Sequence, residues 1–340
     1  MQRWHEHSGI VTPVSGQTAA LRAGGAPVLS ESFLAGMPTA RPSLGAFPVG
    51  TARSDPAARL PSMSSEEPSE GAAIRRPLGE RLAETRLRVP TRGNRRLERL
   101  IERAGSDGQV LGWWHMQQVG SERLGMSDHS WVHIQIVANI ALRMLRIADR
   151  SGVAGCMVSD HGMSVRDAEV VVVAGAMLHD AGMSIHRVDH EAYSLFLAEP
   201  KLRQLLEGAY EEPELTVVVS EALHCIIGHR RRGQPYTLEA GVVRVADALD
   251  MAQGRSRIPV ERGEVGIHSI SAAAIDDVTI DRGVDRPIRV EIKMNNSAGI
   301  FQVDDLLATK IRGTPLEGHI EVIAAVEGET EKRLLREFRI

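Results

Sequence analysis

The chain has 340 residues, a formal net charge of -4, 13 histidines and two cysteines. So nearly balanced a charge sets up no global field toward nucleic acid or a membrane surface, and any anion binding must come from a local cluster. Cys156 and Cys225 build no disulfide framework and fit a reducing, cytoplasmic setting. The longest uninterrupted apolar run, Val170 to Leu178, falls far short of the roughly 20 residues that cross a bilayer, and no secretory signal is visible.

Half of the 16 prolines lie before position 69, among Gly, Ser, Ala and Thr with almost no apolar periodicity. Residues 1–90 therefore read as a disordered extension. Arg95 to Ala104 is a short charged helix with Leu97, Leu100 and Ile101 on one side. Ser127 or Asp128 is placed to cap the next helix, in which Trp131, Ile134, Val137, Ala138, Ala141, Leu142 and Leu145 recur at helical spacing. His129 and His133, four apart, share a face of it.

Asp167 is the natural cap of the apolar run that ends at His179-Asp180, with Gly182 closing it. Ala192 to Leu206 is helical in composition with an interruption at Pro200. Pro213 suits the first turn of Glu214 to Ile227, Gly228 supports the end of that helix, and Thr237 to Met251 forms another. Beyond this the character changes: Ile288, Val290, Ile292 and Met294 alternate with charged residues as a half-buried strand does. Val278 to Ile280 and Ile320 to Val326 are further strands, and Gln302 to Ala308 a short helix between them. The fold class is an all-α core over 91–260 followed by a small α+β domain over 265–340. That domain's sheet must hide one face, against the helices or against a second subunit in a homodimer.

Chemistry concentrates in His133, His179, Asp180 and Asp247, which lie in or at the ends of three separate helical runs. Imidazole and carboxylate groups converging from different elements are what a divalent ion needs. In this order, and in the wording His133-Ile-Gln-Ile-Val-Ala, Leu178-His-Asp-Ala-Gly and Arg244-Val-Ala-Asp-Ala, the set resembles the His…His-Asp…Asp signature of the HD-domain metal-dependent phosphohydrolase superfamily. The resemblance spans roughly 125–255 and implies an HD-type helical core.

That resemblance implies a metal site with further ligands in the intermediate helices, Asp180 bridging two ions. His190 and His229 are the favoured additions, with His186 and His224 their competitors. It implies one or two divalent transition metals per chain, Mn or Fe ahead of Mg, Co or Ni, and hydrolysis of a phosphate ester by attack of a metal-bound hydroxide. Asp180 and His186 are then the catalytic candidates, the latter as acid for the leaving oxygen. Arg230 and Arg231 follow His229, and Arg255 and Arg257 follow the Asp247 helix; their planar donors suit phosphate oxygens. A nucleotide or small phosphomonoester is the expected partner, with no membrane and no strong nucleic-acid signal. The central motif runs His179-Asp-Ala-Gly-Met183, without the lysine and the Gly-Tyr-Pro element of the cyclic-dinucleotide phosphodiesterase branch, which argues against cyclic diguanylate. The competing readings are a non-catalytic metal or nucleotide sensor and a diiron oxygenase. The turn Met294 to Gly299 reads as a local Asx turn or an anion-binding one, and Trp113, Trp114 and Trp131 as packing or a base pocket.

Overall fold

The computed structural model describes residues 77–82, 85–251 and 267–327. The expected extension lies almost wholly outside them, as do Arg255 and Arg257. After a short helix α1 (Leu78–Leu82), α2 (Arg95–Ser106) and α3 (Gly108–Leu124) lead into α4 (Trp131–Arg150), α5 (Cys156–Ser159) and α6 (Val165–Leu178). A 3-10 turn (Ala181–Ser184) joins α6 to α7 (His190–Leu206), followed by α8 (Glu214–Gly228) and α9 (Leu238–Leu249).

Helix α6 is the centre of the helical part. Val170 to Val173, Ala174, Ala176, Met177 and Leu178 are all fully buried, and a helix apolar on every side must be enclosed by others. It packs against α2, α4, α5, α8 and α9. Each buried Val or Leu contributes about 1.5–3 kcal/mol relative to leaving it in water, so a helix of this composition has no stable place at the surface.

Three local expectations are corrected. Helix α4 is capped by Ser130, whose Oγ accepts from Val132 N at 3.2 Å, while Asp128 accepts from Ser130 N at 2.8 Å. Helix α6 begins at Val165 behind Ser164. Asp167 is inside the first turn and accepts from the Ser164 N–H and hydroxyl at 3.0 and 2.7 Å. Pro200 does not interrupt α7, because Ala198, Leu202, Leu205 and Leu206 bury one continuous face across it. Helix α3 has no single apolar stripe to announce it in the sequence. Its Trp114 is buried, with Nε1 donating to Met177 O at 3.0 Å, so this tryptophan is packing for α6.

The C-terminal part starts with α10 (Ile267–Ala273) and a three-stranded sheet of order β1 (Ile275–Arg282), β2 (Ile288–Met294) and β3 (Ile320–Val326). β1 and β2 form an antiparallel hairpin and β3 is parallel to β2. The central strand buries Ile288, Val290, Ile292 and Met294. β1 and β2 rest on α4, so the face that needed cover finds it within the same chain. The crossover from β2 to β3 holds a 3-10 turn (Ser297–Gly299), a π-helical turn (Gln302–Ala308) and α11 (Thr309–Ile311). Asn296 Oδ1 accepts from Ala298 N at 2.8 Å, the local Asx turn among the two readings of that segment.

Candidate metal centre

Antiparallel packing of α4 and α6 brings the first turn of α4, with His133, to the last residue of α6 and the His179-Asp180 pair. Gly182, two residues past that pair, controls where the chain goes next. A Cβ there would lie 2.0 Å from His190 O and 2.6 Å from Ser194 N. Only glycine lets the 3-10 turn pass this close to the start of α7. Ser194 fastens the contact, donating to His179 O and accepting from Gly182 N, both at 2.8 Å. His190, the first residue of α7, is thereby delivered next to Asp180. His229 arrives from the end of α8, and Asp247 from the last turn of α9.

The resulting cluster has two sides, and Asp180 belongs to both. Its Oδ2 is 3.3 Å from His179 Nε2 and 3.8 Å from His133 Nε2, while its Oδ1 is 3.1 Å from His190 Nε2 and 3.6 Å from His229 Nε2. On the first side the His133 and His179 Nε2 atoms are 3.3 Å apart, and Asp247 Oδ1 is 3.6 and 3.9 Å from them. On the second, His190 and His229 Nε2 are 3.4 Å apart. Donor atoms about 2.0–2.2 Å from one ion lie about 3 Å apart at right angles and about 3.4 Å apart in a tetrahedron. Both triads, His133, His179 and Asp180, and Asp180, His190 and His229, are buried, with ligand atoms within 4.8 Å of one another.

Each ring is turned so that its Nε2 faces inward. The Nδ1 atoms of His179 and His229 face the carbonyls of Ala176 and Ile226 at 2.8 and 2.5 Å, and His133 Nδ1 faces Asp250 Oδ2 at 2.6 Å. His190 Nδ1 is 2.9 Å from Arg187 O. On His133, His179 and His229 a donor hydrogen on Nδ1 fixes the tautomer and leaves a lone pair on Nε2, whereas His190 Nδ1 meets both the Arg187 carbonyl and its guanidinium. Two such lone pairs facing one another at 3.3 Å repel unless a cation or a proton lies between them, so the donor set fits a divalent ion, and there is capacity for one or two.

The electrostatics agree with that fit. Burial opposes charge on His179, yet the adjoining Asp180, followed by Asp247 and the Ala176 carbonyl, raises its pKa to about 9. Burial alone would lift Asp180, but its histidine contacts, His179 foremost, hold it well below the usual carboxylate range. His229 is lowered, first by burial, despite the pull of Asp180. The centre is thus organised to hold positive charge.

Other expected residues lie elsewhere. His224 stacks on Tyr236 with centroids 3.8 Å apart and its Nε2 accepts from Tyr236 N, away from the cluster. His186 is exposed in the loop before α7, its Nδ1 accepting from Val188 N at 3.1 Å. Arg230 pairs with Asp189 at 3.3 Å, and Arg231 reaches toward Asp305 at 3.8 Å; both are at the surface. Four residues not singled out by sequence as part of the site join it. Asp250 orients His133. Buried His129 brings Nε2 to 4.0 Å from Asp180 Oδ2. Arg187 lays a guanidinium nitrogen 2.8 Å from His190 Nδ1, and Lys310 contacts Asp247 at 3.3 Å.

The HD domain family matches residues 128–252. Over 207 residues the chain is 41% identical to "Uncharacterized protein MJ1020" of Methanocaldococcus jannaschii, covering 61% of this chain and 80% of that protein. The chain belongs to the HD-domain metal-dependent phosphohydrolase superfamily. No solved structure matches it. The matched HD span contains both sides of the cluster and Asp250 but ends well before Lys310. Among the described residues, no helix is long and apolar enough to cross a membrane.

Proposed function

We propose that this HD-domain protein hydrolyses a phosphate ester, a nucleotide or small phosphomonoester, at a two-ion centre. His133, His179, Asp180 and Asp247 would hold one ion, and Asp180, His190 and His229 the other. The observation that carries this reading is the division of Asp180, one oxygen toward each pair of imidazole nitrogens. Mixed imidazole and carboxylate donors favour Mn or Fe over Mg, which prefers oxygen. When bound, such ions lower the pKa of coordinated water toward neutrality and screen the charge of the phosphate.

The chain's own groups do the rest. Asp250 and the backbone carbonyls keep the ring nitrogens aimed inward, so no reorganisation is needed when substrate arrives. Arg187 beside His190 supplies a guanidinium donor for a non-reacting phosphate oxygen, while Arg230 and Arg231, paired at the surface with Asp189 and Asp305, would meet only a part of the substrate that extends outside the centre. Arg255 and Arg257 are offered for the same role on sequence grounds. His129, buried beside Asp180, is better placed than exposed His186 to meet the leaving oxygen. Two free cysteines, with the buried Cys225 thiol raised well above its ordinary pKa by burial, fit a cytoplasmic setting.

The test is phosphate release from a panel of nucleoside monophosphates and small phosphomonoesters by Mn- and Fe-loaded protein. Turnover that vanishes with chelation is the expected result. Oxygen uptake by the iron form without phosphate release would favour the oxygenase reading, and tight binding without turnover the sensor reading.

A further inference from the structure

We infer that Lys310 is a positioning residue of the metal centre, fixing Asp247 and the His229 backbone together from a segment outside the HD domain. Its Nζ donates to His229 O at 2.5 Å and to Asp247 Oδ2 at 3.3 Å. The other carboxylate oxygen, Oδ1, is the one that faces His133 and His179. The ammonium thus divides the labour of the two oxygens, holding one so that the other points at the ion. It also ties the element carrying a ligand of one side, α9, to the residue that ends α8 and serves the other side.

The backbone that delivers this side chain is itself pinned to α9. Arg244, one turn before Asp247 and buried, donates from Nε to Lys310 O at 3.0 Å. Its remaining nitrogens bond the carbonyls of Gly228, Arg230 and Arg231, closing the loop after His229 onto the same point. Further along, Thr314 and Leu316 approach α9 so closely that a Cβ on Gly241 would lie 3.5 and 3.6 Å from theirs. An exposed lysine–aspartate pair contributes little. This one is shielded, with 18% and 15% side-chain exposure, and its partners are groups of the centre. Residues 302–316 therefore complete the site, and anything that displaces them loosens Asp247.

The inference rests on the two-ion reading, and the experiment separates the two. Mn²⁺ is titrated calorimetrically into the metal-free full chain as wild type, Lys310→Met, Lys310→Gln and Lys310→Arg. Outer partners of metal ligands change affinity by about 10–100-fold when removed. Lys310→Met is expected to weaken binding by that factor, Lys310→Gln by less, and Lys310→Arg to recover most of it, with metal-free thermal midpoints within a few degrees of wild type. Unchanged affinity in Lys310→Met and Lys310→Gln would overturn the inference. So would weakened binding that only tracks a lowered midpoint, which marks a structural role, or failure of both variants to fold. A wild-type chain that takes up no ion would instead refute the two-ion reading itself.

Discussion

The pair α4 and α6 carries a buried polar cluster at each end, and the two differ in how their groups are matched. At one end Arg146 meets Glu169 at 2.6 Å and the Pro90 carbonyl at 2.7 Å, Asn94 donates to Glu169 at 2.9 Å, and Asp167 accepts from Arg96 and Tyr210 at 2.8 Å. Each of these donors meets a carboxylate or a carbonyl. At the other end, imidazole nitrogens face one another across 3.3 and 3.4 Å with no side-chain donor or acceptor placed between them. The first end is satisfied by the protein alone and fastens the helices. The second needs a proton or a metal ion between its rings, and that need distinguishes it from the first.

The sharpest way to break this contrast is to disable each end and look for effects at the other. Asp180→Ala is expected to lose both ions, lowering turnover by more than the about 10²–10³ that one stabilising donor is worth; metal analysis and phosphate release check it. Glu169→Ala leaves Arg146 charged and buried, so unfolding in urea should show a loss of about 3–5 kcal/mol with the metal content per chain unchanged. Loss of metal in that variant would mean the two ends are not independent.

Protons sharpen the comparison further. The hydrogen bonds from Ser164 and Tyr210 and the Arg96 charge overcome the burial of Asp167 and keep its pKa below the usual value. The stability that this lowering adds is therefore present above the unfolded pKa of about 3.9 and lost as pH falls through the lower folded value. Asp167→Asn should remove that acid dependence in urea titrations. At the other end His179 holds a proton up to about pH 9 in the metal-free chain. An ion must displace it, so Mn²⁺ affinity should fall by roughly tenfold per pH unit below 9. The smallest effect belongs to His224→Ala: no change in metal content, and a stability loss of about 1 kcal/mol from the hydrogen bond to Tyr236 N that it removes.

Much of this architecture is legible in the sequence because α4, α6, α8 and α9 bury regular apolar faces, and because strand β2 alternates residue by residue. Helix α3 is not, since polar Gln117 and Ser121 occupy its buried face alongside Val110 and Trp114. The HD ligands emerge from their order and flanks. Choosing among the remaining histidines takes helix phase. His224 and His229, five residues apart near the end of α8, lie about 140° apart around its axis at 3.6 residues per turn, so they face different ways. His186 and His190 look like helical neighbours, but Asp189 adopts φ 57° and breaks the phase between them. Asp250 and Lys310 depend on approaches over 117 and 63 residues of sequence, and no local pattern announces those.

The shared-carboxylate centre is tested most directly by counting metal per chain, by elemental analysis after anaerobic purification, in wild type, His133→Ala, His190→Ala and Asp180→Ala. The account expects close to two ions in wild type, close to one in each histidine variant and almost none in the aspartate variant. A single ion in wild type that survives His190→Ala undiminished would contradict it.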